Sequence, residues 1–430
     1  MCFHTTIIMK EISLLFIAIT IIKLACCENI VEIFHWKQLS HQKHFLEDAG
    51  DITFDEENST TGPNESFVSY VNIPMGITHH KGRLFITIPR RNPGVPATLN
   101  VVDVSGFPNG DMSPSLKAYP DYITNQLHTD YHADPKRIVS VYRSKVDVCD
   151  RLWFVDTGRL EYANNSMQIQ RPHLWIIDLL QDRKVRTFEI PESIVQFGDG
   201  MASLAVDVEA GSCDKAFAYI PDLVQAAIYV YSFETDRMWA FKHPSFQQNP
   251  DRANFHVAGF RFVWDDGIFS IALGKRDMLT HSRPVYYHPM VSTTEFTTNS
   301  ETLQNESLAN SGDYESFFQA LGDRGPNTQS TMHYYDPETE VIFYSQVNRN
   351  SIGCWYTRNN FTAEEHDIVY LDHQHLVYPG DLNADVDGNI WILANNLPTW
   401  LYSKLDENKY NFHVWRMNPR EAIVGTKCQN

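Results

Sequence analysis

Residues 74–100, PMGITHHKGRLFITIPRRNPGVPATLN, decide the fold because they contain a strand pattern that recurs along the chain. The apolar run RLFITI lies between the turn signal Lys81-Gly82 and Pro89. Such boundary residues are typical of a short strand rather than of a helix. Similar runs, each with a turn signal before it and an aromatic residue near its third position, begin near residues 81, 149, 213, 265, 338 and 387. The opening stretch is therefore interpreted mainly as scaffold.

The six runs predict an all-β protein. They read KGRLFITIPR, CDRLWFVDTG, CDKAFAYIPD, DDGIFSIALG, ETEVIFYSQV and DGNIWILANN, and second strand patterns such as TLNVVDV, HLWIIDLL and HVWRM follow several of them. Each unit is long enough for a four-stranded sheet and its loops, so we expect a six-bladed β-propeller with a central channel. Because the spacing is uneven, a pair of β-sandwiches is the alternative.

Composition narrows the class of protein. The chain has 430 residues, of which 43% are hydrophobic, 13% aromatic and 20% charged, as expected of a globular protein with many short strands. Its formal net charge of −18 disfavours nucleic acid as a partner, because an acidic surface repels phosphate backbones. The charge itself is typical of a soluble protein.

The amino terminus resembles a secretory signal peptide over residues 1–27. The apolar run from Ile12 to Ile22 is too short to span a bilayer, and Lys10 supplies the positive flank. A buried amino-terminal helix is the alternative. We therefore expect an exported protein with no membrane segment after cleavage, formed by one domain over residues 28–430. A Ser-, Thr- and Asn-rich stretch near residues 292–313 is predicted to be a mobile insertion.

Cysteine usage agrees with export. Cleavage would leave Cys149, Cys213, Cys354 and Cys428, an even number that allows three disulfide pairings in an oxidising compartment. Glycosylation sequons suit the same route. They occur at Asn58, Asn64, Asn164, Asn305 and Asn360.

Several segments together resemble the insect Yellow and major royal jelly protein family. The similarity rests on NIPMGITHHKGRLFITIPRRNPGVPATLNVV, CDRLWFVDTG, GDGMASLAVD, GCW at 353–355, NIWILANNLP and EAIVGTKC, which occur in the family's order and cover nearly the whole mature chain. The resemblance implies a secreted six-bladed propeller with two disulfides. Cys149 and Cys213 precede an Asp at equivalent places in successive repeats, so we pair them and join Cys354 to Cys428.

The family hosts several activities, so the resemblance implies more than one function. The first hypothesis is dopachrome conversion, by tautomerisation or decarboxylation toward dihydroxyindole, in melanin biosynthesis and without a redox cofactor. A non-catalytic binder of biogenic amines and an extracellular or cuticular pigment-patterning factor are the alternatives. Each of the first two implies a small aromatic metabolite as the partner.

Candidate binding residues follow from the resemblance and from the chemistry of the ligands. Segments similar to YPGDLN and WILANNLP contact amines in relatives, which points to Asn395 and Leu397, with Tyr378 as an aromatic wall and Asp381 as a counter-ion. The alternative is that Asp381 and Asn395 satisfy loop amides. Arg90, in the Arg90-Arg91 pair, is predicted to hold a ligand carboxylate, unless an arginine of this pair has a structural partner.

The catalytic residues are not identified by sequence. Dopachrome rearrangement requires a base, for which histidine is the natural choice near neutral pH, but no single histidine is indicated. We predict no metal site. The stretch NADVDGNIW copies the first half of a calcium loop, but Ala394 stands where the bidentate glutamate belongs, which leaves calcium near Asp387 as an open question.

Overall fold

Short strands dominate the computed structural model, which describes residues 30–42 and 67–430. They form six four-stranded antiparallel sheets and two separate hairpins. The first strands of the six sheets neighbour one another in cyclic order, so they surround a common axis. The predicted six-bladed β-propeller is confirmed. Residues 1–27, Asn58 and Asn64, on which the signal-peptide prediction and two sequons fall, lie outside the described residues.

The first three blades, numbered in chain order, are listed here from the inner to the outer strand. Blade 1 contains Gly76–His80, Arg83–Thr87, Leu99–Asp103 and Lys117–Ala118. Blade 2 contains Val141–Val146, Arg151–Asp156, His173–Asp178 and Arg183–Glu189. Blade 3 contains Ala205–Asp207, Phe217–Asp222, Ala227–Ser232 and Arg237–Lys242.

The remaining blades follow the same order. Blade 4 contains Ile268–Leu273, Pro284–Pro289, Thr294–Asn299 and Gln319–Asp323. Blade 5 contains His333–Asp336, Val341–Gln346, Ser351–Tyr356 and His366–Leu371. Blade 6 contains Pro379–Ala384, Ile390–Ala394, Phe412–Met417 and Ile30–Trp36.

Smaller elements lie in the connections between these strands. The two hairpins are Arg159–Tyr162 with Asn165–Gln168, and Asn254–Val257 with Phe260–Val263. The short α-helices are Tyr122–Asn125, Ser300–Gln304, Glu306–Ser311, Leu397–Tyr402 and Pro419–Ala422. The 3₁₀ turns are Ser69–Val71, Cys213–Lys215, Pro244–Phe246, Pro250–Arg252, Glu315–Phe317, Val347–Arg349 and Ala363–Glu365. No helix within the described ranges has the length and apolar character needed to cross a membrane.

Blade 6 closes the ring by combining one early strand, Ile30–Trp36, with three late strands between residues 379 and 417. Ile30–Trp36 pairs antiparallel with Phe412–Met417, with Ile30 opposite Met417 and Trp36 opposite Phe412. The largest apolar cluster joins this blade to blades 1 and 5 and includes Ile33, Ile77 and Phe343, all fully buried. Hydrophobic burial across these blade contacts therefore holds the ring shut.

The recurring aromatic residue packs in the second strand of five blades. Phe85, Trp153, Tyr219, Phe343 and Trp391 are all at most 1% exposed. Blade 4 is the exception, because DDGIFSIALG forms its inner strand and PVYYHP forms its second strand. Sequence matching thus found the correct blade but the wrong strand, since in blade 4 the DDG turn signal precedes the inner strand instead of the second strand.

Gly76, in the opening stretch, is required by the close approach of blades 1 and 2. A Cβ atom at this position would lie 2.7 Å from the carbonyl oxygen of Tyr142 and 2.9 Å from the Cα of Arg143. Both neighbours are backbone atoms, which cannot swing aside as a flexible side chain would. The inner strands of these two blades are consequently in direct contact.

We expect Gly76→Ala to lower the free energy of unfolding by about 1–3 kcal/mol, because the added methyl group overpacks this contact. Urea denaturation followed by tryptophan fluorescence measures the change. Gly106→Ala is the matched control, since its Cβ would come no closer than 3.4 Å to another atom. Equal stabilities of the two variants would contradict the close approach.

The prediction of a mobile insertion near residues 292–313 is wrong. Thr294–Asn299 is the third strand of blade 4, and the helices Ser300–Gln304 and Glu306–Ser311 follow it. Phe296 stacks on Tyr287 and Leu303 is fully buried, so a few apolar residues anchor a largely polar stretch. Side chains of Asn299 and Asn305 cap the two helices, which is why an Asn- and Ser-rich composition is compatible with order here.

Both predicted disulfides are confirmed. Cys149 pairs with Cys213 and Cys354 pairs with Cys428. The first joins the equivalent loops of blades 2 and 3, as expected from the shared position of these cysteines in the repeat. The second joins the third strand of blade 5 to the carboxyl terminus. The described sequon residues are Asn164, Asn305 and Asn360, and all three are exposed.

Candidate functional site

One face of the propeller carries the loops that run from each outer strand to the next inner strand and from each second strand to the third. Antiparallel pairing brings both kinds of loop to the same end of every blade, and we call this end the upper face. The opening of the channel on this face is the upper mouth. Arg91, Tyr142, Glu161, Asp266 and Tyr378 lie there, supplied by blades 1, 2, 4 and 6 and by their connections.

Arg90 does not take part in this site, and this corrects its assignment as a ligand-binding residue. Its side chain is 1% exposed, and its guanidinium donates to five backbone carbonyl groups. These carbonyls belong to Val95, Pro96, Asn125, Ile138 and Val139. Because all five guanidinium hydrogens are used, Arg90 holds the loops together and has no donor left for a ligand.

Arg91, the next residue, is directed toward the channel. Its side chain keeps 33% exposure, and Nε lies 4.0 Å from Glu161 Oε2. Tyr142, Glu161, Tyr378 and Asp266 all raise the pKa of Arg91, Tyr142 most strongly, which places these groups within electrostatic range of the guanidinium. Arg91 is thus a permanently charged donor at the upper mouth that retains capacity for a ligand anion.

Asp266 is the acid at this mouth whose protonation changes near neutral pH. It lies in the connection that leads into the inner strand of blade 4 and is half-buried. Burial, together with the neighbouring carboxylate of Asp265, raises the pKa of Asp266 to about 6, and Arg91 acts in the opposite direction. A carboxyl group with this pKa can accept a proton at neutral pH and release it again.

Tyr142 and Glu161 form a second polar pair at the upper mouth. The phenol of Tyr142 donates a hydrogen bond to Glu161 Oε2. Burial raises the pKa of Tyr142 well above its usual value, and the charge of Glu161 acts in the same direction. Tyr142 is therefore a neutral donor whose hydrogen is committed to Glu161, while Glu161 remains near Arg91.

Aromatic side chains form one wall of the mouth. Tyr378 lies at the entry to the inner strand of blade 6 in a left-handed backbone conformation, with φ at 56°. Its ring is 5.8 Å from that of Trp264, whose Nε1 donates to the hydroxyl of Tyr402 at 2.7 Å. The two rings meet edge to face at 86°, and Tyr378 is only 4% exposed, so Trp264 offers the accessible aromatic surface, and direct contact between Tyr378 and a ligand stays a prediction.

Arg143 and Asp381 lie below the upper mouth as its floor. Nε of Arg143 is 3.4 Å from Asp381 Oδ1, and its other nitrogens donate to the carbonyl oxygens of Ala202 and Gly380. Its guanidinium lies 4.9 Å from the centre of the Phe269 ring, so this side chain joins blade 2 to blade 4, blade 6 and the connection into blade 3. Asp381 is 1% exposed and accepts from the amide of Ile77.

Asp381 consequently has a cationic partner within the protein. Burial raises the pKa of this carboxyl, while Arg143 acts in the opposite direction. A ligand ammonium group would have to displace Arg143 to reach it. The predicted role of Asp381 as an ammonium counter-ion is therefore not what this geometry favours.

Asn395 and Leu397 lie behind the aromatic wall. Asn395 is fully buried and donates from Nδ2 to the carbonyl of Pro74, and its Oδ1 accepts from the amide of Leu397. Leu397 is 6% exposed and begins the helix that carries Tyr402. The alternative reading, in which Asn395 satisfies loop amides, describes these contacts, and a ligand contact from either residue stays a prediction.

The calcium-like stretch is explained by a turn that recurs in the propeller. Asp385 accepts from the amides of Asp387 and Asn389 and from Nε1 of Trp391. Asp147 accepts from Trp153 in the same way in blade 2. In both blades the aspartate carboxylate thus accepts a hydrogen bond from the buried tryptophan of the repeat. The oxygens of Asp385 are occupied by protein donors rather than free to bind calcium.

A buried group between blades 4 and 5 has the composition of a metal site. The possible ligand atoms of His288, Glu295 and His333 lie within 4.8 Å of one another, a grouping found once within residues 30–42 and 67–430. Arg324, however, donates to Glu295 Oε2 at 2.6 Å, so the carboxylate charge is already balanced. Burial lowers the pKa of His288 to about 3, which keeps its imidazole neutral. We interpret the group as a structural ion pair.

Sequence reasoning pointed to the Arg90-Arg91 pair but could not tell which arginine faces the channel. Asp266 was missed, because Asp265-Asp266-Gly267 looked like the turn signal of a repeat. Neither Arg91 nor Asp266 lies in a sequence motif that identifies it as a site residue, since side chains from other blades create its environment. The doubled arginine and doubled aspartate, each at the end of a strand pattern, were the only signals in the sequence.

Comparisons with known proteins show which family this chain resembles. A family model described as Major royal jelly protein matches residues 139–428. The chain is 45% identical over 419 residues to the L-dopachrome tautomerase yellow-f of Drosophila melanogaster, which covers 94% of this chain and 95% of the relative. It is 34% identical over 374 residues to the dopaminechrome tautomerase of the same species, covering 85% and 78%. It is 32% identical over 358 residues to the protein yellow of Drosophila subobscura, covering 83% and 61%.

Proposed function

Because the chain belongs to the major royal jelly protein family, we propose that it converts dopachrome toward dihydroxyindole products, as an exported protein in melanin formation. The names of two relatives, a dopachrome and a dopaminechrome tautomerase, support a small aromatic substrate. The observation that carries the proposal is that Arg91 and Asp266 meet at the upper mouth, where each shifts the pKa of the other and where Trp264 and Tyr378 lie nearby. Dopachrome offers a carboxylate to the first and an acidic carbon-bound hydrogen to the second.

Arg91 binds the substrate carboxylate in this proposal. A guanidinium can form two parallel hydrogen bonds with a carboxylate, which fixes both position and orientation. Trp264, which is in edge-to-face contact with Tyr378, covers one side of the planar ring system in this proposal. The substrate is held above the pair formed by Arg143 and Asp381, which closes the channel beneath it.

Asp266 acts as the general base. It takes the proton from the ring carbon that bears the carboxylate, and the electron pair moves through the conjugated system toward a quinone oxygen. That oxygen gains a proton, and loss of a second proton from the adjacent ring CH₂, with protonation of the other quinone oxygen, completes an isomerisation to the dihydroxyindole carboxylate without a redox cofactor. Because Arg91 stabilises the carboxylate, we expect tautomerisation to win over loss of carbon dioxide. The sequence-based expectation of a histidine base is replaced here by a carboxylate.

We expect Arg91→Ala to lower kcat/KM for dopachrome by about 10- to 100-fold, because one charge-assisted hydrogen-bonding partner is lost. Stopped-flow absorbance of dopachrome decay measures it. Arg261→Ala is the matched control, since Arg261 is an exposed arginine on the hairpin strand Phe260–Val263. The decarboxylated analogue should be converted equally by wild type and Arg91→Ala, and an equal loss with both substrates would contradict the carboxylate role.

Calorimetric titration with dopamine distinguishes the amine-binding alternative from dopachrome conversion. If the protein is a non-catalytic binder, dopamine gives a strong heat of binding while dopachrome decays at its uncatalysed rate. If the protein is a pigment-patterning factor without small-molecule chemistry, neither signal is expected. Acceleration of dopachrome decay by wild type, lost in Arg91→Ala, supports the first function over both.

A further inference from the structure

Lys145 lies in the half of the channel below Arg143 and Asp381. The inner strand of blade 2 runs downward from Val141 to Val146, so Lys145 is two residues beyond Arg143 and faces the opposite mouth. Its Nζ donates to Asn383 Oδ1 of blade 6 and lies 5.9 Å from the centre of the Tyr334 ring of blade 5. The amine therefore lies between the inner strands of blades 2, 5 and 6.

Neighbouring groups fix the position of this amine. Nδ2 of Asn383 donates to the hydroxyl of Thr78 at 3.1 Å and to the carbonyl of Ser144 at 3.2 Å. These bonds orient the amide so that its Oδ1 faces Lys145. Within the described part of the chain, Asn383 is the acceptor recorded for Nζ.

The surroundings make the amine a nucleophile. Burial lowers the pKa of Lys145 to about 8, and the carboxylate of Asp381 acts in the opposite direction. Burial raises the pKa of the Tyr334 phenol, so that group stays neutral. A substantial fraction of Lys145 is then unprotonated near neutral pH, unlike an ordinary surface lysine.

We propose that Lys145 forms an imine with small neutral aromatic aldehydes that enter the channel from the lower mouth. The amine nitrogen attacks the carbonyl carbon, and the resulting carbinolamine loses its oxygen as water with protons from the nitrogen and the solvent. No oxidant or reductant is needed. Imine formation uses the unprotonated amine, and the Tyr334 ring, whose centre is 5.9 Å from Nζ, supplies a surface for the aromatic group of the aldehyde.

Reductive trapping tests the proposal without relying on dopachrome conversion. The full-length protein is incubated at pH 7 with 4-hydroxybenzaldehyde and sodium cyanoborohydride, and modified peptides are quantified by mass spectrometry. We expect Lys145 to be modified at least about tenfold faster than the exposed Lys81 and Lys275, because more of its amine is neutral. Equal rates for the three lysines would overturn the proposal.

Two variants sharpen the result. Lys145→Arg keeps the positive charge and should remove the fast-reacting site, while modification of Lys81 continues unchanged. Tyr334→Leu keeps the amine but removes the aromatic surface, so the preference for 4-hydroxybenzaldehyde over formaldehyde at Lys145 should fall severalfold. An unchanged preference would overturn the aromatic part of the site.

Discussion

Asp266→Asn is expected to slow dopachrome conversion by about 10²- to 10⁴-fold, because asparagine cannot accept the carbon-bound proton. The amide keeps the size and hydrogen-bonding capacity of the carboxyl group, so binding through Arg91 should persist. The loss should therefore fall mainly on kcat rather than on KM. Stopped-flow measurements over a range of dopachrome concentrations separate the two constants.

The pH profile gives a second signature of the same group. The base is active when ionised, and the pKa of Asp266 is about 6, so kcat/KM of wild type should rise as pH increases through 6 and then level off. The rise should be absent in Asp266→Asn. Asp265→Asn is the matched control, because Asp265 is its exposed neighbour and should retain most of the activity. Full activity of Asp266→Asn would contradict the assigned base.

Glu295→Gln is expected to lower the free energy of unfolding by about 3–5 kcal/mol, because it leaves Arg324 charged and unpaired in the interior. The two side chains are 2% and 1% exposed and 2.6 Å apart. Burial alone would raise the pKa of Glu295, but His288 and His333 outweigh it and lower the pKa, so the carboxylate is ionised in the folded protein. Urea denaturation measures the loss.

The loss should be partly reversed by removing the other charge. Glu295→Gln combined with Arg324→Met leaves no unpaired buried charge, so the double variant should be more stable than Glu295→Gln alone. Glu301→Gln, at an exposed position of the following helix, should change stability by less than about 0.5 kcal/mol. A double variant less stable than the single one would contradict the structural role of the pair.

The fold could be predicted because the repeat is a local pattern. Each unit carries its own turn signal, apolar run and aromatic residue, and the aromatic packs inside the blade where it occurs, as Phe85 and Trp391 do. The first disulfide could be paired because equivalent repeat positions lie at the same end of neighbouring blades, and the remaining two cysteines form the second. The strand in blade 4 was misplaced because its DDG turn precedes the inner strand instead of the second one.

The site could be predicted only in part because it depends on contacts between distant segments. Arg90 and Arg91 are chemically identical in sequence, and only the carbonyl groups gathered around Arg90 distinguish them. Asp381 looks like a free carboxylate until Arg143, more than two hundred residues earlier in the chain, is seen beside it. Glu295 lies in a stretch whose composition predicts a loop, although it is among the most buried acids.

The position of a bound substrate analogue tests the central claim most directly. Indoline-2-carboxylate has the ring system and carboxylate of dopachrome but cannot react, so its complex can be crystallised. We expect its carboxylate within about 3 Å of the guanidinium nitrogens of Arg91, with the adjacent ring carbon facing Asp266. Binding at the lower mouth or on the outer rim, with Arg91 and Asp266 untouched, would contradict the account.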